Sequence, residues 1–181
     1  MNYYGGKELA NAFRTVRKNT IQIAEEIPEN KYAFSAAPET RTVAATLVHI
    51  AVVSRLFSHV HSNKVTDMKT LDFRAFFEEF SAEEKRARSK AEIIALLRSE
   101  GDAFASFLEG LPEPFLAERV TQTPGTEPAT KTRFEMLLSA KEHEMHHRAQ
   151  LMVVQRMLGQ VPHLTRQMQE RLAAMTAQAQ R

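Results

Sequence analysis

The chain has 181 residues, enough for one well-packed domain and too few for two of ordinary size. Apolar residues make up 43% and charged residues 25%, as in globular proteins, and a net charge of +2 without a strong Lys/Arg run argues against a nucleic-acid surface. There is no cysteine, so disulfides, a cysteine nucleophile and thiolate metal ligands are excluded, and His, Asp and Glu remain as candidates for chemistry.

The N-terminal residues MNYYGGKELANAF have no apolar core of the signal-peptide kind, and no stretch reads as a membrane span, so a soluble cytoplasmic protein is expected. The first helix is predicted from about Lys7 to Ile27, with Leu9, Phe13, Val16, Thr20, Ile23 and Ile27 at three- and four-residue steps and Pro28 ending it. A polar connection with Tyr32, Phe34 and Pro38 follows. The second helix is predicted from near Thr40 to about Val60, with Ala44, Leu47, Val48, Ala51, Val52 and Leu56 along it.

Residues 62 to 88 are expected to form a long crossover containing at most a short helix. Phe73, Phe76, Phe77 and Phe80 in it suggest aromatic packing, while Ser81 to Arg88 is strongly polar. Ser89 with Glu92 is a capping-box pattern and opens a third helix to about Leu108. Pro112, Pro114, Pro124, Gly125 and Pro128 mark an extended loop, and nothing in the chain reads as a strand. Thr132 with Glu135 is a second capping box, starting a fourth helix that closes at Gly159 and Pro162.

In the remaining tail, Leu164, Met168, Leu172 and Met175 share one stripe, predicting an extra C-terminal helix that packs on the bundle or meets a second subunit. The expected architecture is all-α: a four-helix bundle with long crossover connections over 1–162, followed by the tail helix at 163–181.

The fourth helix carries His-Glu-Met-His-His at residues 143 to 147, so three of the seven histidines fall within five residues. At 100° per residue, His143 and His147 lie roughly 40° apart and one turn along the same face, where two imidazoles can grip one metal ion. Ala140, Leu151, Val154 and Leu158 share that face, which makes it core-facing. In the second helix His49 likewise shares its face with Ala45, Val52, Val53 and Leu56. A lone core histidine is ordinarily a hydrogen-bonded packing residue; three converging neutral imidazoles suit a divalent cation. His146 turns about 100° from His147 and reads as a surface or supporting residue. His59, His61 and His163 read as surface or loop histidines, and the Phe cluster and the methionines as packing.

The same residues spell HExxH at His143, Glu144 and His147, the arrangement in which zinc proteases place two ligands and a general-base glutamate on one helix. The longer HExxHxxGxxH form is absent, because Gln150 and Val153 occupy its Gly and His positions. A downstream carboxylate ligand would have to be Glu170, and no strand is predicted to hold an extended peptide. This zinc hydrolase reading is therefore the weaker one.

Together the motifs resemble the DinB family (DinB/YfiT-like metalloenzymes), four-helix bundles in which a helix-two histidine and an HxxxH pair on helix four bind a divalent metal. TLVHIA matches at His49, and HEMHHRAQL matches the family's HxxHHRGQL-like signature at His143 and His147. LGQVPHL resembles the family's usual ending of that helix. Ala149 stands where glycine is common and His163 where a second proline is expected. The likeness in layout covers most of residues 1 to 162.

The resemblance implies His49, His143 and His147 as ligands of zinc or nickel, with iron or manganese as further options, in a homodimeric protein. It also implies a metal-dependent thiol S-transferase, in which a low-molecular-weight thiol such as bacillithiol, mycothiol or glutathione attacks an electrophile. With no cysteine in the chain, the sulfur arrives with the cosubstrate. Arg41, Arg55 and Arg148 are the candidate anion-binding groups and His146 a candidate proton relay. The competing reading is a metal-binding or stress-related bundle without turnover; an open metal position beside a pocket separates the two.

Overall fold

Seven α-helices and one two-stranded hairpin build the molecule in a computed structural model that describes residues 4–179. The domain limits read from the sequence, 1–162 and 163–181, run past the described residues at both ends.

Helix α1 (Gly6–Glu26) buries Leu9, Ala10, Phe13, Val16, Thr20, Ile23 and Ala24, the predicted face, and the same stripe also buries Arg17. The Glu8 carboxylate accepts a hydrogen bond from the Gly5 N–H at 2.9 Å, satisfying one of the donors that a helix start leaves free. Tyr32, in the connection to the next helix, is buried and donates its hydroxyl to the Ala24 carbonyl at 2.7 Å, tying the loop to α1.

Helix α2 (Val43–Ser62) starts at Thr42, whose side chain accepts from the Ala45 N–H. Its true start lies a few residues after Thr40 because the cap is made at Thr42. By length and composition α2 is apolar enough to cross a membrane, which the sequence reading missed. Leu47, Val48, Ala51 and Val52 on it are buried against other helices, as in the central helix of a packed core.

The predicted crossover holds a thirteen-residue helix, α3 (Phe73–Lys85), begun by Asp72, whose side chain accepts from the Ala75 N–H. Phe80 is buried, but Phe77 is 66% exposed, so the aromatic cluster is only partly packing. Helix α4 (Lys90–Glu109) opens with the Ser89/Glu92 capping box as expected.

A short helix α5 (Glu113–Ala117) and the strands β1 (Arg119–Thr121) and β2 (Thr130–Thr132) replace the expected plain loop. The strands pair antiparallel, with Arg119 opposite Thr132 and Thr121 opposite Thr130. Three residues per strand are too few for alternation to show in the sequence. The hairpin puts the fully buried Val120 against Val60, Met68 and Met136, closing one end of the bundle.

Helix α6 (Arg133–Met157) opens with the Thr132/Glu135 capping box, and Gly159 follows it at φ 77°, the left-handed geometry that glycine adopts without penalty. Helix α7 (His163–Ala179) buries only His163. Arg166 pairs with Glu26 at 2.6 Å, while Met168, Leu172 and Met175 stand exposed.

In the bundle, α1 and α2 each pack on both α4 and α6, and α3 lies along α2. The pairs α1/α2 and α4/α6 therefore face each other across the diagonals. This puts α2 beside α6 although 70 residues separate them in sequence.

Candidate metal centre

His49 comes from α2, and His143 and His147 come from successive turns of α6. The His49 and His143 Nε2 atoms lie 3.1 Å apart, and those of His147 and His143 3.2 Å apart. One ligand atom from each of the three rings falls within 4.8 Å of the others. The pattern of apolar neighbours thus points all three imidazoles to one spot.

The outer nitrogens of His49 and His147 have partners that fix their tautomers. His49 Nδ1 lies 2.8 Å from Glu84 Oε1, and His147 Nδ1 lies 2.8 Å from Gln150 Oε1. Both partners accept, so both Nδ1 atoms donate, and the Nε2 atoms of neutral rings present lone pairs. His143 Nε2 carries at most one proton and can answer only one of its two neighbours. At least one contact is then lone pair against lone pair, an arrangement that a cation resolves.

Burial, together with the nearby His147 and His49, pushes the His143 imidazole down to about 3. Burial also lowers His49, with Arg41 adding to it and Glu84 opposing, and lowers His147 against the opposing Gln150 bond. All three are neutral at pH 7, the form that binds metal. The edge of a tetrahedral zinc site with bonds of 2.0–2.1 Å is about 3.3–3.4 Å, so the two spacings to His143, 3.1 and 3.2 Å, are close to those around a small divalent ion.

Glu84 lies on α3 and was not anticipated. Its second oxygen accepts from Arg41 Nε at 2.8 Å, so an Arg41–Glu84–His49 chain stands behind the site. Nothing marked Glu84 within the polar run from Ser81 to Arg88. Gln150 had a readable signal, because it stands three residues after His147 and therefore on the neighbouring turn of the same face. Gln150 Nε2 also reaches His146 Nε2 at 3.2 Å, which makes the exposed His146 a supporting neighbour, as expected.

Beside the cluster lies a pocket of about 750 Å³ whose lining includes Arg41, Val43, Glu84, His146, His147 and Val154. Of the three candidate anion-binding arginines only Arg41 is there. Arg55 is engaged by Glu79 and Glu100, and the half-buried Arg148 does not line the pocket.

The surface readings of His61 and His163 need correction, and the HExxH alternative, already the weaker one, loses its base and its downstream ligand. Glu144, the glutamate of HExxH, is buried and held by Arg17, so it cannot act as the general base of a protease-type site; Glu170 is exposed on α7, outside the cluster. A glutamate next to a ligand on a helix turns about 100° away from it, and here that direction is the core. His61 is buried beside Arg133 and Phe115, because the hairpin and α5 cover the end of α2. His163 is buried with Nε2 3.2 Å from Asn19 Oδ1, because the start of α7 turns back onto α1. His59 is exposed as expected.

The comparisons with known proteins agree with this layout. A profile of the DinB family matches residues 1–179, taking in the tail that the sequence motifs did not reach. YfiT from Bacillus subtilis, described as a probable metal-dependent hydrolase with an unusual four-helix bundle topology, superposes with a TM-score of 0.68 at 16% identity, covering 88% of this chain and 91% of its own. A DinB-like protein, YjoA, also from Bacillus subtilis, gives 0.62 at 21% identity, covering 85% and 94%. A DinB-like protein from Bacillus cereus gives 0.64 at 14% identity, covering 86% and 93%. No curated protein matches the chain in sequence. The family match over nearly the whole length, with a bundle fold shared by these structures, establishes that the chain belongs to the DinB family.

Proposed function

We propose that His49, His143 and His147 hold a divalent metal ion and that the site carries out transfer of a low-molecular-weight thiol to an electrophile. The observation that carries this reading is the cluster of three neutral imidazoles beside a pocket of about 750 Å³, with no fourth His, Asp or Glu in the cluster among the described residues. A site with three protein ligands keeps a position open, as catalytic sites do and closed structural sites do not. This favours turnover over a purely structural bundle.

A bound divalent ion supplies positive charge and an open position that lower the pKa of a thiol or water placed there. The chain's residues do the rest. Glu84 and Gln150 hold His49 and His147 in their orientations. Arg41 sets a positive charge in the pocket wall for an anionic cosubstrate. Val43, Leu151 and Val154 exclude water from one side, and His146 at the rim accepts the proton that the thiol loses. The sulfur then forms its bond to the electrophilic carbon as the leaving group departs with its bonding pair.

A second reading, hydrolysis with water as the nucleophile, is favoured by the description of YfiT and by the same open position. Untagged protein should be analysed for metal, loaded with zinc or nickel, and assayed with a thiol plus an alkyl halide, and separately with ester and amide substrates without thiol. Thiol consumption that depends on metal supports transfer. Metal-dependent cleavage without thiol replaces it with hydrolysis, and loaded protein inactive in both assays returns the structural bundle. A His49→Ala variant that keeps its metal would remove the three-histidine assignment itself.

A further inference from the structure

Arg17 sits at the centre of the bundle with a side chain only 5% exposed, and Glu144 opposite it is 2% exposed. Nε of Arg17 donates to both Glu144 oxygens, at 3.0 and 3.1 Å. Its Nη1 donates to the Leu97 carbonyl at 2.7 Å and its Nη2 to the Ile50 carbonyl at 3.2 Å. One side chain of α1 therefore ties together α6, α4 and α2. Two of its anchors are chain neighbours of proposed ligands: Glu144 follows His143, and Ile50 follows His49.

A buried ion pair of this kind is a poor way to gain stability, because desolvating two charges offsets most of their attraction. A well-packed apolar pair of the same volume serves stability as well or better. What the pair supplies is geometry: it fixes how far α6 is rotated and how α2 lies against it.

His143 has a particular need of this. Glu84 holds the His49 ring and Gln150 holds the His147 ring, whereas His143 Nδ1 has no hydrogen-bond partner on the chain among the described residues. Its placement therefore rests on the helix that carries it. The pair and His143 also share the walls of one interior cavity of about 10 Å³, too small to hold more than a single water, so the pair backs the site directly.

We infer that Arg17 and Glu144 are positioning residues for the metal site, setting the register of α2 against α6 so that the His49 and His143 Nε2 atoms meet. This rests on the reading that the three histidines bind metal. The glutamate of the HExxH motif then serves the site from behind, as an anchor rather than as a base.

The test replaces the pair with apolar residues of similar size, Arg17→Met with Glu144→Leu, and uses zinc and cobalt ions alone as probes. Folding is followed by circular dichroism and urea unfolding, zinc affinity by chelator competition, and site geometry by the visible absorption of bound cobalt. The expected result is a folded protein whose zinc affinity falls about ten- to hundredfold, the usual cost of losing a support to a metal ligand. Its cobalt spectrum should change in position or intensity, which a merely stabilising role would not cause. A folded double variant with unchanged zinc affinity and cobalt spectrum would overturn the inference.

Should the double variant fail to fold, Glu144→Asp decides. It keeps the charge pair but shortens the reach by one methylene, so zinc affinity and the cobalt spectrum must still move; wild-type values for both would overturn the inference. Parent protein that takes up neither ion would overturn the metal reading and with it this inference, a result distinct from a loaded parent matched by its variants.

Discussion

Glu84 Oε1 accepts a hydrogen bond from His49 Nδ1 at 2.8 Å, joining a residue of the crossover helix α3 to the one histidine contributed by α2. A carboxylate in this position sets the tautomer, turns Nε2 to the other two rings and raises the basicity of the imidazole. Glu84→Ala is expected to weaken zinc binding about ten- to hundredfold while leaving the helical content unchanged. Calorimetric titration with zinc would measure this; undiminished affinity would mean that Glu84 does not orient the ring.

Arg41 stands in the pocket wall, 2.8 Å from the other Glu84 oxygen. If it receives the anionic part of a thiol cosubstrate, Arg41→Met should raise KM for that thiol about tenfold or more, the worth of a charge-assisted hydrogen bond, with kcat changed far less. A fall in kcat at constant KM would instead place Arg41 at the reacting atoms or at the support of His49.

Gly101 in α4 faces Arg17 so closely that a Cβ would stand 2.8 Å from Arg17 Cγ and 2.9 Å from Nη1. Replacing a mid-helix glycine by alanine ordinarily gains up to about 1 kcal/mol. Here Arg17 is pinned by bonds to three helices and cannot yield, so Gly101→Ala is expected to destabilise by about 1–3 kcal/mol. Urea unfolding would decide, and a stabilised variant would show that Arg17 moves freely.

His61 is buried, and burial, with the positive Arg133 adding to it, pushes its imidazole down to about 4. Below pH 6.5 the unfolded chain takes up a proton that the folded one refuses until about pH 4. Stability is therefore lost as pH falls through this window, by up to about 3 kcal/mol for this residue. In metal-free protein, the drop in unfolding free energy between pH 7 and pH 4.5 should be clearly smaller in His61→Gln than in the parent. Equal drops would show that His61 titrates normally.

Helix α7 is anchored at its start by the buried His163 and by Arg166 on Glu26, and beyond these its Met168, Leu172 and Met175 are exposed. We propose that this stripe contributes to a homodimer. Removing residues after Gln167 should leave the unfolding midpoint of the bundle nearly unchanged and shift sedimentation from dimer to monomer. A truncated protein that stays dimeric would place the contact elsewhere.

The helix faces, the caps at Ser89 and Thr132 and the pairing of His143 with His147 were legible because they depend on residues within one or two turns of each other. Periodicity also set His49 on a core-facing stripe. The thirteen-residue α3 was harder, because its outer face is polar and only Phe80 is buried, and the hairpin was too short to show alternation. His61 looked like a surface residue because the short α5 and the hairpin that cover it left no readable pattern, and His163 because only packing turns the start of α7 back onto α1.

What the sequence determined by itself was the four bundle helices and the tail helix, their buried faces and a pair of imidazoles one turn apart. Only the tertiary structure decided that α2 lies beside α6 and that Glu84 reaches His49 from α3. It also decided that Glu144 turns inward to Arg17 rather than toward the pocket. Local periodicity fixes a side chain's direction around its own helix axis, but which partner it meets depends on the packing of helices distant in the chain.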